Sequence, residues 1–167
     1  DKIRIMIDPV AEMNVEKYKS DINNKEIGLV YDTFTYGEQL KKWEDLKRCY
    51  VAQIETVIKN NFKPIVMMFQ ITDGEKKLAE FLLNRFGNEI DVRFYEDFKL
   101  ALIDIGKVSG IISLRFHGNV ISYSFNKPFL PIIYHHKAKG FLELINYKPQ
   151  NLILEVGDGV NWQDKDL

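Results

Sequence analysis

Arg115 and His117 stand two residues apart in the stretch GIISLRFHGNVISYSF. They lie between an apolar run that reads as a strand (Ile111, Ile112, Leu114) and one that reads as a helix (Val120 to Phe125). Neither side chain can be buried cheaply. At a strand terminus, residues two apart point to the same side. A helix expected to start around Gly118 adds the partial positive charge of its unpaired N–H groups. A guanidinium fork, an imidazole and a helix N-terminus therefore converge, a combination suited to a carboxylate or a phosphate. Histidine is also the side chain best placed for proton transfer near neutral pH. The competing assignment pairs Arg115 with Glu96 or Asp97 and leaves His117 as a helix cap.

Other chemistry-bearing residues are weaker. Lys137 and Lys139 follow the run PIIYHH, one strand later. Lys137 is assigned to the same pocket and Lys139 to a solvated surface. His135 and His136 are adjacent, so on a strand end they point in opposite directions. A zinc site would need further ligands at sensible spacing, and the nearest carboxylate, Glu143, falls on a helix. No metal site is assigned. Asp32 follows the first strand but lacks the acidic neighbour and lysine of a phosphoacceptor site, which leaves it a capping role. The loop YDTFTYGEQ holds one glycine where a dinucleotide fingerprint needs three, and no phosphate-loop lysine motif is present. Cys49, the single cysteine, lies on an apolar helical stripe and reads as a buried thiol.

Those residues depend on the elements around them. Residues 1–24 read as a connector, with Asn14 capping a short helix from Val15 and a turn at Asn23-Asn24-Lys25. From residue 25 onward strands and helices alternate. Apolar runs at Ile27 to Tyr31, Pro64 to Phe69, Val108 to Leu114, Phe129 to Ile133 and Leu152 to Glu155 read as strands. Ile90 to Tyr95 alternates apolar with charged residues, as a strand at a sheet edge or with one partly exposed face does. Between them, Leu40, Trp43, Leu46, Tyr50, Ile54 and Val57 recur at helical spacing, as do Leu78, Phe81, Leu82 and Phe86. Further helices are expected over Phe98 to Ile105, over GNVISYSF and over KGFLELI. The pattern implies a doubly wound α/β domain: a mainly parallel sheet with right-handed crossovers and both faces covered. In such sheets ligands bind beyond the carboxyl ends of the strands, where Arg115, His117 and Lys137 fall.

Composition excludes several classes. The chain has 167 residues, 46% hydrophobic and 28% charged, with a formal net charge of −1. That suits one globular domain and lacks the positive excess of a general nucleic-acid binder. One cysteine allows no internal disulfide. No apolar run reaches membrane-spanning length, and the opening DKIRIMIDPV is not a signal peptide. The expected location is the cytoplasm. The opening on Asp rather than Met suggests a piece of a longer protein.

The segment VSGIISLRFHGNVISYSFNKPFLPIIYHHKAKGFLELI resembles the polysaccharide pyruvyl transferase family. The likeness rests on Arg115-Phe116-His117 after an apolar strand, the strand Pro128 to Ile133, Tyr134 with Lys137, and Gly140-Phe141-Leu142-Glu143. IDPVAEMNVEKY is similar to the connector into the family's second domain, and Asp73 is an acidic residue just before a helix, where members often carry one. The resemblance implies a glycosyltransferase-B-like pair of Rossmann-like halves. Residues 25–167 would be the C-terminal, donor-binding half, and an acceptor-binding N-terminal domain would precede residues 1–24. It implies transfer of a pyruvyl group from phosphoenolpyruvate, the donor substrate, to a sugar as a cyclic ketal. The acceptor would be a sugar or lipid-linked glycan of cell-surface polysaccharide, handled in the cytoplasm or at the inner face of the membrane. No separate cofactor and no nucleic acid take part. The catalytic residues would be His117 and Arg115. Substrate binding would fall to Arg115, Gly118, Tyr134, Lys137 and Ser113, with His117 acting as acid or as base.

Two other readings fit the same pattern. One is a nucleotide-sugar-dependent glycosyltransferase of the same architecture, for which no acidic ribose clamp is visible. The other is a non-catalytic Rossmann-like binding module with Arg115 and His117 structural.

Overall fold

Short, uninterrupted apolar runs favour strands covered on both faces, because neighbouring side chains point to opposite sides and all must be buried. The computed structural model describes residues 14–19, 23–33, 43–133, 136–147 and 154–155, and the runs behave in this way. In β1 (Asn23–Val30) and the residue after it, Leu29 and Tyr31 face one core while Val30 faces the other. In β2 (Lys63–Met68), Val66 and Met68 join the first core, and Ile65 and Met67 the second.

The first core is closed by α1 (Trp43–Lys59), through Leu46, Tyr50 and Ile54, and by α2 (Asp73–Phe86), through Leu78, Leu82 and Phe86. The second is closed by α3 (Phe98–Lys107), through Leu102 and Ile105, and by α4 (Phe116–Ser124), through Ile121. These helices lie on opposite faces of one sheet, whose other strands are β3 (Asp91–Phe94), β4 (Val108–Ser113), β5 (Phe129–Ile133) and β6 (Leu154–Glu155). The strand order is β3-β2-β1-β4-β5-β6 and every pairing is parallel. This is the doubly wound, Rossmann-like arrangement expected. β3 is at an edge, as its alternating sequence indicated. A last helix, α5 (His136–Leu144), packs Phe141 and Leu142 against Val120 and Ile133. Among the described residues, no helix is long and apolar enough to cross a membrane.

Several boundaries differ from the sequence reading. Asn23, Asn24 and Lys25 open β1 rather than forming a turn. Upstream, Asn14 does cap a short element: its Oδ1 accepts from Glu16 N at 3.1 Å, at a single 3-10 turn, Glu16–Tyr18. That turn packs on α3. Val15 is buried in the second core, and a Cβ on Gly106 would stand 2.2 Å from Tyr18 O. Residues 15–18 are thus seated on the domain.

Candidate active site

A doubly wound sheet has one place where consecutive strands part company. Here it lies between β1 and β4, which are neighbours in the sheet although two strands intervene in the chain. The chain leaves their carboxyl ends in opposite directions and opens a crevice there. Asp32 follows β1, Gln70 follows β2, Arg115 follows β4, and Lys137 stands beyond β5. All four line one hollow of about 450 Å3, together with His117.

Arg115 is the N-cap of α4, with extended backbone (φ −76°, ψ 132°). The helix begins at Phe116, two residues before Gly118, so His117 sits in its first turn and not on an extended strand end. The two side chains share the hollow because one leaves the strand end and the other the helix start. Arg115 provides no side-chain cap for the helix, so it adds no acceptor to the first-turn amides.

Arg115 is 14% exposed and does not pair with Glu96 or Asp97. Its Nη2 donates to Glu75 Oε1 at 2.8 Å, Asp32 Oδ1 at 3.0 Å and Gln70 Oε1 at 3.1 Å, and its Nε donates to Tyr31 O at 3.3 Å. Asp97 instead caps α3 by accepting from Lys99 N at 2.9 Å. Asp32 is therefore an ion-pair partner rather than a cap. Its backbone is held by Tyr50, whose hydroxyl donates to Asp32 O at 2.8 Å and accepts from Asp32 N at 3.3 Å. Tyr50 is itself stacked on Tyr31, with ring centres 3.7 Å apart.

Glu75 is fully buried, and sequence reasoning passed it over in favour of Asp73, whose side chain is 93% exposed. Thr72 and Glu75 form a capping box on α2: Glu75 N donates to Thr72 Oγ1, and Glu75 Oε2 accepts from Thr72 N. One carboxylate thus closes the start of α2 and grips Arg115. The spacing Thr-x-x-Glu was a visible signal for the cap.

One guanidinium faces two carboxylates, and burial decides their titration. Desolvation raises the pKa of both Asp32 and Glu75, outweighing the opposing pull of Arg115. Arg115 is thus fixed in place with its charge already compensated. A bound anion would draw on Lys137, on His117 and on the first amides of α4 as much as on the arginine.

The remaining assigned residues divide. Ser113 is fully buried, and its hydroxyl donates to Arg115 O at 2.8 Å. Gly118 is buried where α4 presses on the sheet: a Cβ there would lie 2.2 Å from Ser113 Oγ and 3.2 Å from Val30 Cγ1. Neither lines the hollow. They set the position of Arg115 and the close approach of α4. Lys137 is exposed in the first turn of α5 rather than in a loop. Tyr134 and His135 lie outside the described residues. In the aromatic wall of the hollow, Phe69 was read as the end of a strand, Phe98 as a helix residue and Phe116 as the middle of the Arg115-Phe116-His117 element, and none was assigned to the site.

The family model described as polysaccharide pyruvyl transferase matches residues 1–136 of the chain. No curated protein matches it.

Proposed function

Because the chain belongs to the polysaccharide pyruvyl transferase family, we propose that its hollow at the β1/β4 crevice binds phosphoenolpyruvate and supports pyruvyl transfer to a sugar. The observation that carries this reading is the placement of Arg115, His117 and Lys137 on one hollow at the carboxyl ends of the strands. Phosphoenolpyruvate carries a carboxylate and a phosphate, and cations with helix-start amides are what such a ligand requires.

Forming a cyclic ketal converts the vinyl carbon to a methyl group, which takes up one proton. Two sugar hydroxyls bond to the central carbon and release two protons. Phosphate departs with its bridging oxygen and takes the other proton. One residue able to carry protons near neutrality suits this exchange, and His117 is that residue. Lys137 and the α4 amides steady the departing phosphate. Arg115, locked by Asp32 and Glu75, orients the carboxylate. We take the chain as the donor-binding half of a two-domain, glycosyltransferase-B-like enzyme working in the cytoplasm. A second half completes the site for the glycan acceptor.

The test uses the full-length protein. His117→Ala should abolish transfer from phosphoenolpyruvate while leaving the melting temperature and circular dichroism near wild type, and Arg115→Ala should abolish it as well but also lower the melting temperature, because it leaves the buried Glu75 without its cation. Normal transfer by either variant would contradict the assignment. Stabilisation by UDP-glucose but not by phosphoenolpyruvate in a thermal-shift titration would favour a nucleotide-sugar donor instead.

A further inference from the structure

The hollow is larger than its proposed donor and has two dissimilar ends. A volume of about 450 Å3 falls in the range of roughly 300–1,000 Å3 that accommodates drug-sized ligands, several times what a three-carbon acid fills. One end carries Arg115, Asp32 and Lys137. The other carries Phe69 and Phe98.

Phe98 is the first residue of α3 and is 42% exposed, so part of its side chain stands open at the hollow. It is braced from one side. Phe69 meets Phe98 edge to face at 6.3 Å and 88°, and meets Tyr95 at 6.1 Å and 73°. The Tyr95 hydroxyl donates to Asp104 Oδ2 at 3.0 Å, and Asp104 pairs with Arg93 at 3.0 Å. Asp97 holds the start of α3 by its cap. A large apolar ring that is both partly exposed and braced is a ready binding surface: part of its ordering cost is already met before a ligand arrives.

We propose that Phe98 is the platform on which the sugar ring of the acceptor lies, with its reacting hydroxyls turned toward the ionic end. The inference rests on the pyruvyl-transfer reading. A pyranose has an apolar face of C–H groups and a periphery of hydroxyls. The C–H face packs on the aromatic ring. The hydroxyls meet Gln70, whose amide offers a donor and an acceptor, and the Asp32 carboxylate, which accepts. Both stand on the same hollow between the aromatic wall and Arg115. This places a hydroxyl beside the donor's central carbon without any contact from the donor to Phe98.

The experiment uses the full-length protein, phosphoenolpyruvate, and methyl glycosides of galactose, glucose, mannose and N-acetylglucosamine as acceptor probes. Phe98→Ala should weaken binding of the responsive glycoside about tenfold, and Phe98→Trp should restore it. The dissociation constant of phosphoenolpyruvate should be unmoved in both. Saturation-transfer NMR on the wild type should mark the C–H protons of one sugar face, and Phe98→Ala should erase that pattern. Glycoside binding untouched by Phe98→Ala, or no binding of any glycoside, overturns the platform while phosphoenolpyruvate binding still stands. Wild-type protein that fails to bind phosphoenolpyruvate overturns the pyruvyl-transfer reading and the inference built on it.

Discussion

Two hollows of similar size flank the same central strands, and they could hardly differ more in chemistry. The one at the carboxyl ends, about 450 Å3, is lined by Asp32, Arg115, His117 and Lys137 among aromatic rings. The other, about 400 Å3, lies toward the amino ends of β4 and β5, between Gly110, Ile112 and Leu130 on the strands and Gln53, Thr56 and Val57 on α1. Among the described residues, no charged side chain lines it. Volume does not separate them; strand direction does. In a parallel sheet every strand leaves at the same end. Helix starts, with their unpaired amides, gather there, as do the loops that can carry polar groups without breaking the core. The amino-end hollow is bounded by strand faces and the side of a helix, whose backbone groups are already paired.

The strongest way to break this comparison is to invert the charge of one wall in each hollow. Lys137→Glu places an anion where the donor's phosphate is proposed to sit. It should weaken phosphoenolpyruvate binding about a hundredfold, the order expected for a charge reversal at close range in a partly screened site. Thr56→Glu puts the same new charge in the amino-end hollow and should leave donor affinity within about twofold of wild type. Isothermal titration on both variants measures the contrast. Equal losses in the two would mean that the hollows are not functionally distinct.

Much of the scaffold that makes this contrast could be read from the chain. Strands and helices announce themselves by two different periods. Their stops are local as well: Asn61 and Asn126 take the left-handed backbone (φ 62° and 52°) that ends a helix, and both lie in stretches that read as stops. The start of α4 was not legible in the same way. The helix was expected to start around Gly118, whereas Gly118 is a packing residue inside it, and Arg115 carries no capping signal. The partners of Arg115 were least legible. Asp32 and Glu75 lie 83 and 40 residues away in sequence. Only the strand order brings them together, and periodicity does not supply that order. Glu75 was half visible, because Thr72-x-x-Glu75 marks a helix cap. Nothing local says that the same carboxylate reaches an arginine on another strand.

Gly118 sharpens the comparison from the structural side, since at the carboxyl end it lets α4 press closely on β4 and β1. A methyl group there collides with Ser113 Oγ at 2.2 Å and sits tightly against Ser113 Cβ at 3.1 Å. Gly118→Ala should cost about 1–3 kcal/mol, the usual penalty for overpacking, and should also loosen the Ser113 bond to Arg115 O. Adding Ser113→Ala removes the nearer clash and should return part of the stability without returning activity. Urea denaturation of the single and double variants tests the coupling. Simple additivity would mean that the two residues do not meet.

The smallest expected effect concerns the acids that hold Arg115. Loss of hydration on burial raises the pKa of Asp32 and Glu75 from the usual carboxylate values, and the Arg115 guanidinium between them only partly offsets this. A carboxyl group whose folded pKa exceeds its unfolded value, about 4, binds its proton more tightly when folded. Its contribution to stability is complete below the unfolded pKa and is lost as pH rises through the folded one. The melting temperature should therefore fall as pH rises above about 4 and through the raised folded values, and each kcal/mol lost should read as roughly 2–4 °C in a chain of this length. Asp32→Asn removes one of the two titrating groups, so its profile should be flatter and should compare best with wild type at the upper end of that range. Among the described residues no ionisable side chain lines the amino-end hollow, so Thr56→Ala should leave the slope unchanged. A wild-type profile that rises over this interval, or one that Asp32→Asn leaves parallel, would mean that Arg115 compensates both carboxylates fully. The ionic end would then carry no excess negative charge for a donor to overcome, and Lys137 would lose its assigned weight in binding.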